Sequence, residues 1–238
     1  MDEGRYEVTG NVAVIISDAP DRRNALTPEL ARELVGLFDR ASDDAAIGAV
    51  LLRAEGASFC AGADLRVVRA EMAEAAFEGL GQIYELFRRI VACPVPTIAA
   101  VQGPCVGAGV NLPLTCDVRI VSEQAEFIGF GRAGVHPGGG HLELLRAVDR
   151  QVAAWLALCN QPIGAADAVR LGLAMAVTTP EGLLDEAMRV ATAAAGDPGL
   201  ARQLTASFRT IDGTAARHAA AVQIERAPQV WSLRRLHT

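Results

Sequence analysis

The stretch TIAAVQGPCVGAGVN, residues 97–111, decides the fold that we expect for this chain. Its first part, Thr97 to Gln102, is an almost continuous apolar run, which is typical of a strand buried on both faces. Its second part, Gly103 to Gly109, is a glycine-rich turn that we expect to lead into a helix. Small residues let a backbone approach a ligand closely, and the first turn of a helix leaves its N–H groups without intrahelical partners. The stretch therefore predicts a strand, a glycine-rich turn that a ligand could approach closely, and a helix.

A second turn of the same kind lies upstream. Ile47 to Arg53 predicts another buried strand, and the loop from Glu55 to Asp64 follows it and contains FCAGAD at residues 59–64. Two N–H groups that converge from two such turns form an oxyanion hole, which stabilises negative charge on a carbonyl oxygen. Each turn alone is weak evidence, because most glycine-rich turns bind nothing. Phosphate binding is a poorer alternative, since the chain contains no GxxxxGK[ST] motif.

The rest of the chain surrounds these turns with alternating strands and helices. Tyr6 to Ser17 predicts a β-hairpin, and Thr27 with Pro28 predicts the start of a helix. Phe127 to Gly140 predicts a loop. Helical patterns dominate the second half, and among them are Leu142 to Leu158 and a last helix from about Thr214 to Arg226. We therefore expect an α/β fold, with a core over residues 1–195 and a C-terminal helical segment over residues 196–238.

Composition excludes several classes of protein. The 238 residues carry a net charge of -6 and no lysine, which argues against nucleic acid as a partner. The N-terminus lacks the apolar core of a signal peptide, and no apolar run is long enough to span a bilayer, so we expect a cytoplasmic protein. The five cysteines have no CxxC spacing, so we expect buried, reduced thiols, with neither a disulfide framework nor a metal site.

Several motifs together resemble the enoyl-CoA hydratase/isomerase (crotonase) family. They are NALT at 24–27, FCAGADL at 59–65, GPCVGAG at 103–109 and CDVR at 116–119, followed by IGAADA at 163–168 and LGL at 171–173. They occur in the order and at the spacings of that family, and the similarity covers roughly residues 8 to 195.

The resemblance implies a crotonase-like spiral of ββα units that assembles as a homotrimer or hexamer. It implies acyl-CoA as the substrate or ligand, with no further cofactor, and a thioester oxygen held by the N–H groups of Ala63 and Ala108. The residues that it implies for binding the rest of acyl-CoA are Arg23, Ala25, Ala61, Gly62, Asp64, Leu65, Arg66, Gly107 and Gly131.

The chain departs from the family at its catalytic carboxylates. Family hydratases use two glutamates, because hydration needs a base for water and an acid for the α-carbon. The first position is Asn111 here, and the second falls within Ile128 to Arg132, which contains no carboxylate. A third family position is Gly138. Among the possible substitutes, His136 and His141 can titrate near neutral pH, and Glu126 and Glu143 are the nearest acids.

Three functions stay open on this basis. The chain is a lyase or isomerase of the family that uses non-standard groups such as His136 or His141. Alternatively, it is an acyl-CoA carrier or regulator that has lost the chemistry. A decarboxylase or thioesterase is the third possibility, because there the stabilisation of an enolate matters more than a base for water.

Overall fold

The computed structural model describes residues 3–64 and 73–235, and a six-stranded sheet forms its centre. The sheet has the strand order β1-β2-β3-β4-β6-β9, in which β1 and β2 are antiparallel and the other neighbours are parallel. Its strands are β1 (Gly4–Thr9), β2 (Val12–Ser17), β3 (Ala49–Ala54), β4 (Thr97–Val101), β6 (Val118–Ser122) and β9 (Ala176–Thr178). A smaller sheet, β5-β7-β8, consists of β5 (Cys105–Val106), β7 (Glu126–Ile128) and β8 (Ile163–Gly164).

Helices follow most of the strands and make up most of the second half of the described chain. They are α1 (Pro28–Asp43), α2 (Ala73–Val91), α3 (Ala108–Leu114), α4 (His141–Val148), α5 (Arg150–Ala153), α6 (Ala165–Arg170), α7 (Leu183–Ala194), α8 (Pro198–Asp212) and α9 (Thr214–Arg234). The predicted start of α1 is confirmed, because Thr27 Oγ1 accepts a hydrogen bond of 3.2 Å from Leu30 N and Pro28 is the first helical residue. The α/β class and the helical C-terminal segment are confirmed as well.

The central strands β2, β3 and β4 of the large sheet are buried on both faces, as the apolar runs of β3 and β4 predicted. Along β2, Ala13 and Ile15 pack in one core cluster with the side chains of α1 and α2, such as Leu30. The alternate residues, Val14 and Ile16, pack in a second cluster with α7. This arrangement follows from the two-residue period of a strand, which sends neighbouring side chains to opposite faces.

Four sequence-based predictions are corrected by the structure. The segment 127–140, expected to be a loop, begins with β7 and contains a 3₁₀ turn at Phe130–Ala133. The helix expected over 142–158 is interrupted at Asp149, whose side chain accepts hydrogen bonds from Gln151 N and Val152 N and so starts a new helix. The last helix, expected to end near residue 226, continues to Arg234. Cys159 is exposed, whereas the other four cysteines are buried as expected.

Within the described ranges, no helix combines the length and the apolar character that a bilayer span requires. The division of the chain at residue 195 stays a prediction, since α8 and α9 are described but their independence from the core is not.

Candidate functional site

Asn24 organises the loop that supports the first glycine-rich turn. Its side chain is buried, and its Oδ1 accepts a hydrogen bond of 2.8 Å from Ala19 N. Its Nδ2 donates to Glu55 O at 2.7 Å and to Ser58 O at 2.8 Å. One amide therefore joins the 19–25 loop to the 55–58 loop, which explains why the NALT motif begins with asparagine.

The first turn is then fixed along residues 61–64. Leu26 N donates to Gly62 O at 2.7 Å, and Asp64 N donates to Leu26 O at 2.9 Å. Because both bonds use the residues that flank Ala63, the N–H of Ala63 takes no part in this pairing. Among the residues that the structure describes, no backbone or side-chain acceptor receives it.

The second turn lies directly against the first. Val106 N donates to Cys60 O at 2.9 Å. Gly62 has a φ of +93°, and a Cβ at this position would lie 2.5 Å from Val106 O and 3.5 Å from Ala108 N. Only glycine fits here, and its absent side chain lets the two turns touch.

Ala108 is the first residue of α3, where a backbone N–H has no intrahelical partner. The preceding Gly107 has φ +54° and ψ −118°, and its N–H donates to Ile128 O at 2.8 Å. No acceptor for the Ala108 N–H is found within residues 3–64 and 73–235. Ala63 and Ala108 thus lie on adjacent turns with uncommitted N–H groups, and their joint role as an oxyanion hole stays a prediction.

A mostly apolar cavity of about 210 Å³ opens beside these two residues. Among its described lining residues, polar side chains come only from Tyr84 on α2 and Gln229 on α9. The lining residues are Ala61, Gly62, Ala63, Leu80, Tyr84, Val106, Gly107, Ala108, Gly129, Phe130, Val135, Gly138, Gln229 and Leu233.

A polar groove adjoins the cavity. It is lined by Asp21, Arg22, Arg23, Ala25, Ala61, Ala63 and Asp64, so that Ala61 and Ala63 belong to both spaces. The guanidinium of Arg22 pairs with the Glu3 carboxylate. Arg23 is exposed, and in the described part of the chain no carboxylate pairs with it.

Asn111 and His141 form a buried polar pair outside the cavity lining. Both side chains are fully buried. Asn111 Nδ2 donates to Gly138 O at 2.9 Å, and Asn111 Oδ1 lies 2.6 Å from His141 Nδ1. Burial, with a smaller contribution from His136, lowers the pKa of His141 to about 3. The imidazole is therefore neutral near pH 7.

The turn at residues 136–142 is held by the last helix, a feature that the sequence did not reveal. The Glu225 carboxylate accepts hydrogen bonds from Gly140 N at 2.8 Å and from Leu142 N at 2.9 Å, so it caps the start of α4. His218 Nε2 lies 2.9 Å from Gly139 O, and Ser232 Oγ accepts from His136 N at 2.8 Å. The signal for this contact in the sequence was the helical spacing of four polar residues on the last helix: His218, Glu225, Gln229 and Ser232.

The surroundings of Gly138 leave no room for a side chain at this position. A Cβ on Gly138 would lie 2.2 Å from Gln229 Nε2 and 2.4 Å from the Tyr84 hydroxyl oxygen. Tyr84 and Gln229 fill the space that a side chain at 138 would need. The Tyr84 hydroxyl donates a hydrogen bond of 2.6 Å to Gln229 Oε1.

The remaining predicted residues are dispersed. Leu65 and Arg66 lie outside the described residues. His136 Nδ1 lies 2.7 Å from Pro137 O. Gly131 is exposed and lies against the Asn160 side chain rather than in the cavity lining. The nearest acids do not line the cavity, and Glu143 forms ion pairs with Arg146 and Arg217.

Comparison with known proteins finds matches along most of the chain. Residues 7–229 match the family model described as enoyl-CoA hydratase/isomerase. The "Probable enoyl-CoA hydratase EchA14" of Mycobacterium tuberculosis strain H37Rv is 38% identical over 95% of this chain and 90% of its own length. A "Putative enoyl-CoA hydratase" of Thermus thermophilus is 35% identical over 82% of this chain and 79% of its own length.

Solved structures agree on the fold. An enoyl-CoA hydratase from Mycobacterium avium subsp. paratuberculosis K-10 superposes with a TM-score of 0.85 at 28% identity, over 97% of this chain and 90% of that one. The crotonase-like fold expected from the sequence is thereby confirmed.

Proposed function

The chain belongs to the enoyl-CoA hydratase/isomerase family, and we propose that it binds an acyl-CoA thioester and polarises the thioester carbonyl with the N–H groups of Ala63 and Ala108. One observation carries this proposal: Ala61 and Ala63 line both the polar groove and the apolar cavity. A thioester joins a polar carrier to an apolar acyl chain, so its carbonyl belongs at such a junction. The exposed guanidinium of Arg23 offers the groove a donor suited to phosphate.

The chemistry follows from where charge develops. Removing a proton from the α-carbon of a thioester, or attack on its carbonyl, places negative charge on the carbonyl oxygen. Preorganised N–H donors lower that barrier by about 3 kcal/mol each. Neither N–H donates to a described acceptor, so no internal hydrogen bond opposes this role.

Hydration by the two-carboxylate route is expected to be very slow. The cavity lining contains no carboxylate and no imidazole among the described residues. Loss of one general acid or base costs roughly 10² to 10⁴ in rate, and both are missing here. Isomerisation, decarboxylation and thioester cleavage, which depend on carbonyl polarisation, remain within this proposal.

A carrier or regulator of acyl-CoA is the second candidate function, and the same lining favours it. Tyr84 is the one titratable side chain among the described lining residues, and burial raises its pKa, so the phenol stays protonated near neutral pH.

Two measurements on one preparation test the proposal. Calorimetry with butyryl-CoA should show binding at micromolar strength or tighter, because the groove and cavity are preformed. Turnover of crotonyl-CoA, followed by the loss of its enoyl absorbance, should be close to background. Rapid hydration would refute the conclusion that the catalytic carboxylate positions are vacant. Absence of binding would refute the proposed acyl-CoA site.

Assembly as a homotrimer or hexamer is part of the proposal. It is supported by apolar side chains that recur along one side of α8 and are more than half exposed: Leu200, Leu204, Phe208 and Ile211. Light scattering should give the mass of three or six chains of 25.0 kDa each. The substitution Phe208→Arg should shift the measured mass toward that of a single chain. The cytoplasmic location stays a prediction.

A further inference from the structure

Among its described lining residues, the apolar cavity has one polar pair that the proposed thioester chemistry does not use. Tyr84 Oη donates to Gln229 Oε1, and the two side chains are 8% and 4% exposed. Their helices, α2 and α9, are far apart in the sequence and meet at this wall of the cavity. A buried amide is costly unless its hydrogen-bonding groups are satisfied, so a pair at this place calls for an explanation.

The orientation of Gln229 leaves a donor directed at the cavity. Its Oε1 is occupied by the Tyr84 hydroxyl, and its Nε2 has no hydrogen-bond acceptor among the described residues. Gly138 lies beside it without a side chain, since a Cβ there would approach Nε2 to 2.2 Å. The N–H groups of Gln229 are thus held at the wall and can reach a group inside the cavity.

Displacement of water makes this donor selective. An unsubstituted acyl chain that fills the cavity expels water and leaves the amide N–H without an acceptor. An acyl chain that carries a carbonyl oxygen can satisfy it. Sites that are built to bond an oxygen discriminate strongly against the analogue that lacks it, because the buried polar group is then unpaired.

We propose that Gln229, oriented by Tyr84, determines acyl specificity, and that the cavity favours acyl groups with a carbonyl oxygen beyond the thioester, as in 3-oxoacyl-CoA, over unsubstituted chains of equal length. The inference rests on the proposed function, since it places the acyl group in the cavity. Gln229 is a binding residue in this role, and Tyr84 is a positioning residue that acts through it.

Calorimetry with acetoacetyl-CoA and butyryl-CoA tests the inference, because the two four-carbon ligands differ by one carbonyl oxygen. The unmodified protein should bind acetoacetyl-CoA about five- to tenfold more tightly, which is the effect of one net hydrogen bond. Gln229→Met keeps the length of the side chain but removes the amide, so the preference should vanish while the affinity for butyryl-CoA is retained or improved. Tyr84→Phe should reduce the preference, because the amide is no longer held.

Gln223→Met is the matched control, since Gln223 lies exposed on the same helix, and it should keep the full preference. Equal affinities of the unmodified protein for the two ligands would overturn the specificity inference and leave the proposed function standing. Failure to bind either ligand would overturn the proposed function. The ratio of the two affinities in the unmodified protein can be measured even if a variant does not fold. A full preference for acetoacetyl-CoA in Gln229→Met would show that another residue causes the selectivity.

Discussion

Asn111 Oδ1 lies 2.6 Å from His141 Nδ1 in a fully buried contact, and this relationship fixes the protonation of the imidazole. The Asn111 amide can present only its oxygen to His141, because its Nδ2 donates to Gly138 O at 2.9 Å. His141 therefore carries its proton on Nδ1 and donates it to Asn111. Nε2 is left as a buried atom without a hydrogen-bond partner among the described residues.

The stability of the protein should fall as pH drops below about 6.5. The pKa of His141 is about 3 in the folded protein, lowered mainly by burial, against 6.5 for an ordinary histidine. Between these values the unfolded chain binds a proton that the folded chain does not, so each pH unit of acidification costs about 1.4 kcal/mol of unfolding free energy. Burial lowers the pKa of His218 too, in the same direction. Urea denaturation at pH 7.5, 6.5 and 5.5 measures this slope.

His141→Asn isolates the contribution of this imidazole, because asparagine can still donate to Asn111 but does not titrate. The variant should be less stable than the unmodified protein at pH 7.5, and the gap should narrow by about 1.4 kcal/mol per pH unit below 6.5. The raised pKa of Glu225, caused by burial, acts in the opposite direction just above pH 4.5 in both proteins and cancels in the comparison. A gap that stays constant with pH would contradict the assignment of His141.

Ala108→Pro should remove one proposed oxyanion donor without breaking the helix. Proline is tolerated at the first helical position, and the lost N–H has no described acceptor. The carbonyl stretch of bound butyryl-CoA, read by infrared difference spectroscopy, should move back toward its solution frequency. Any turnover that depends on the oxyanion should drop about 10²- to 10³-fold.

Ala165→Pro is the control for this substitution. Ala165 is also a buried alanine at the first position of a helix that follows a glycine, but it does not line the cavity. It should leave the carbonyl frequency unchanged. An unchanged frequency in Ala108→Pro as well would exclude this N–H from the thioester site.

Glu225→Ala should destabilise the protein by roughly 3 kcal/mol. The carboxylate is 2% exposed, and its removal leaves the N–H groups of Gly140 and Leu142 without their acceptor. The change should also weaken acyl-CoA binding, since the same helix supplies Gln229 and Leu233 to the cavity. Chemical denaturation and calorimetry measure the two effects.

Glu123→Ala provides the reference for that loss, because Glu123 is exposed and its side chain makes no hydrogen bond or ion pair with a described residue. It should change the unfolding free energy by no more than about 0.5 kcal/mol. Similar effects of the two substitutions would show that Glu225 does not hold the turn.

Gly138→Ala should displace the Tyr84 and Gln229 side chains, because the added methyl group would lie within 2.4 Å of both. We expect a loss of about 1–3 kcal/mol in unfolding free energy from overpacking. Gly36→Ala, at an exposed helical site with no atom within 4 Å of the added carbon, should instead stabilise by about 0.5–1 kcal/mol. The denaturation midpoints of the two variants measure these changes. An equal gain in stability in both variants would show that the Tyr84 and Gln229 side chains do not lie against Gly138.

The sequence by itself determined the local elements and the turns. The apolar runs that became β3 and β4 predicted strands buried on both faces, and Thr27 with Pro28 predicted the start of α1. These features are local, since period, capping and backbone freedom depend on residues only a few positions apart. The break at Asp149 was equally local, because an aspartate that caps a new helix is visible in the sequence.

Only the tertiary structure decided what surrounds the proposed thioester site. Tyr84 and Gln229 are 145 residues apart, and Glu225 caps a helix that begins 84 residues before it. No periodicity links such residues, because their contact depends on where the chain places α9 after it has built the sheet. The buried state of His141 depends on the same packing, and burial is what keeps its imidazole neutral. The sequence thus determined the two glycine-rich turns that we propose to hold a carbonyl oxygen, and the packing of the last helix decided which side chains face the cavity.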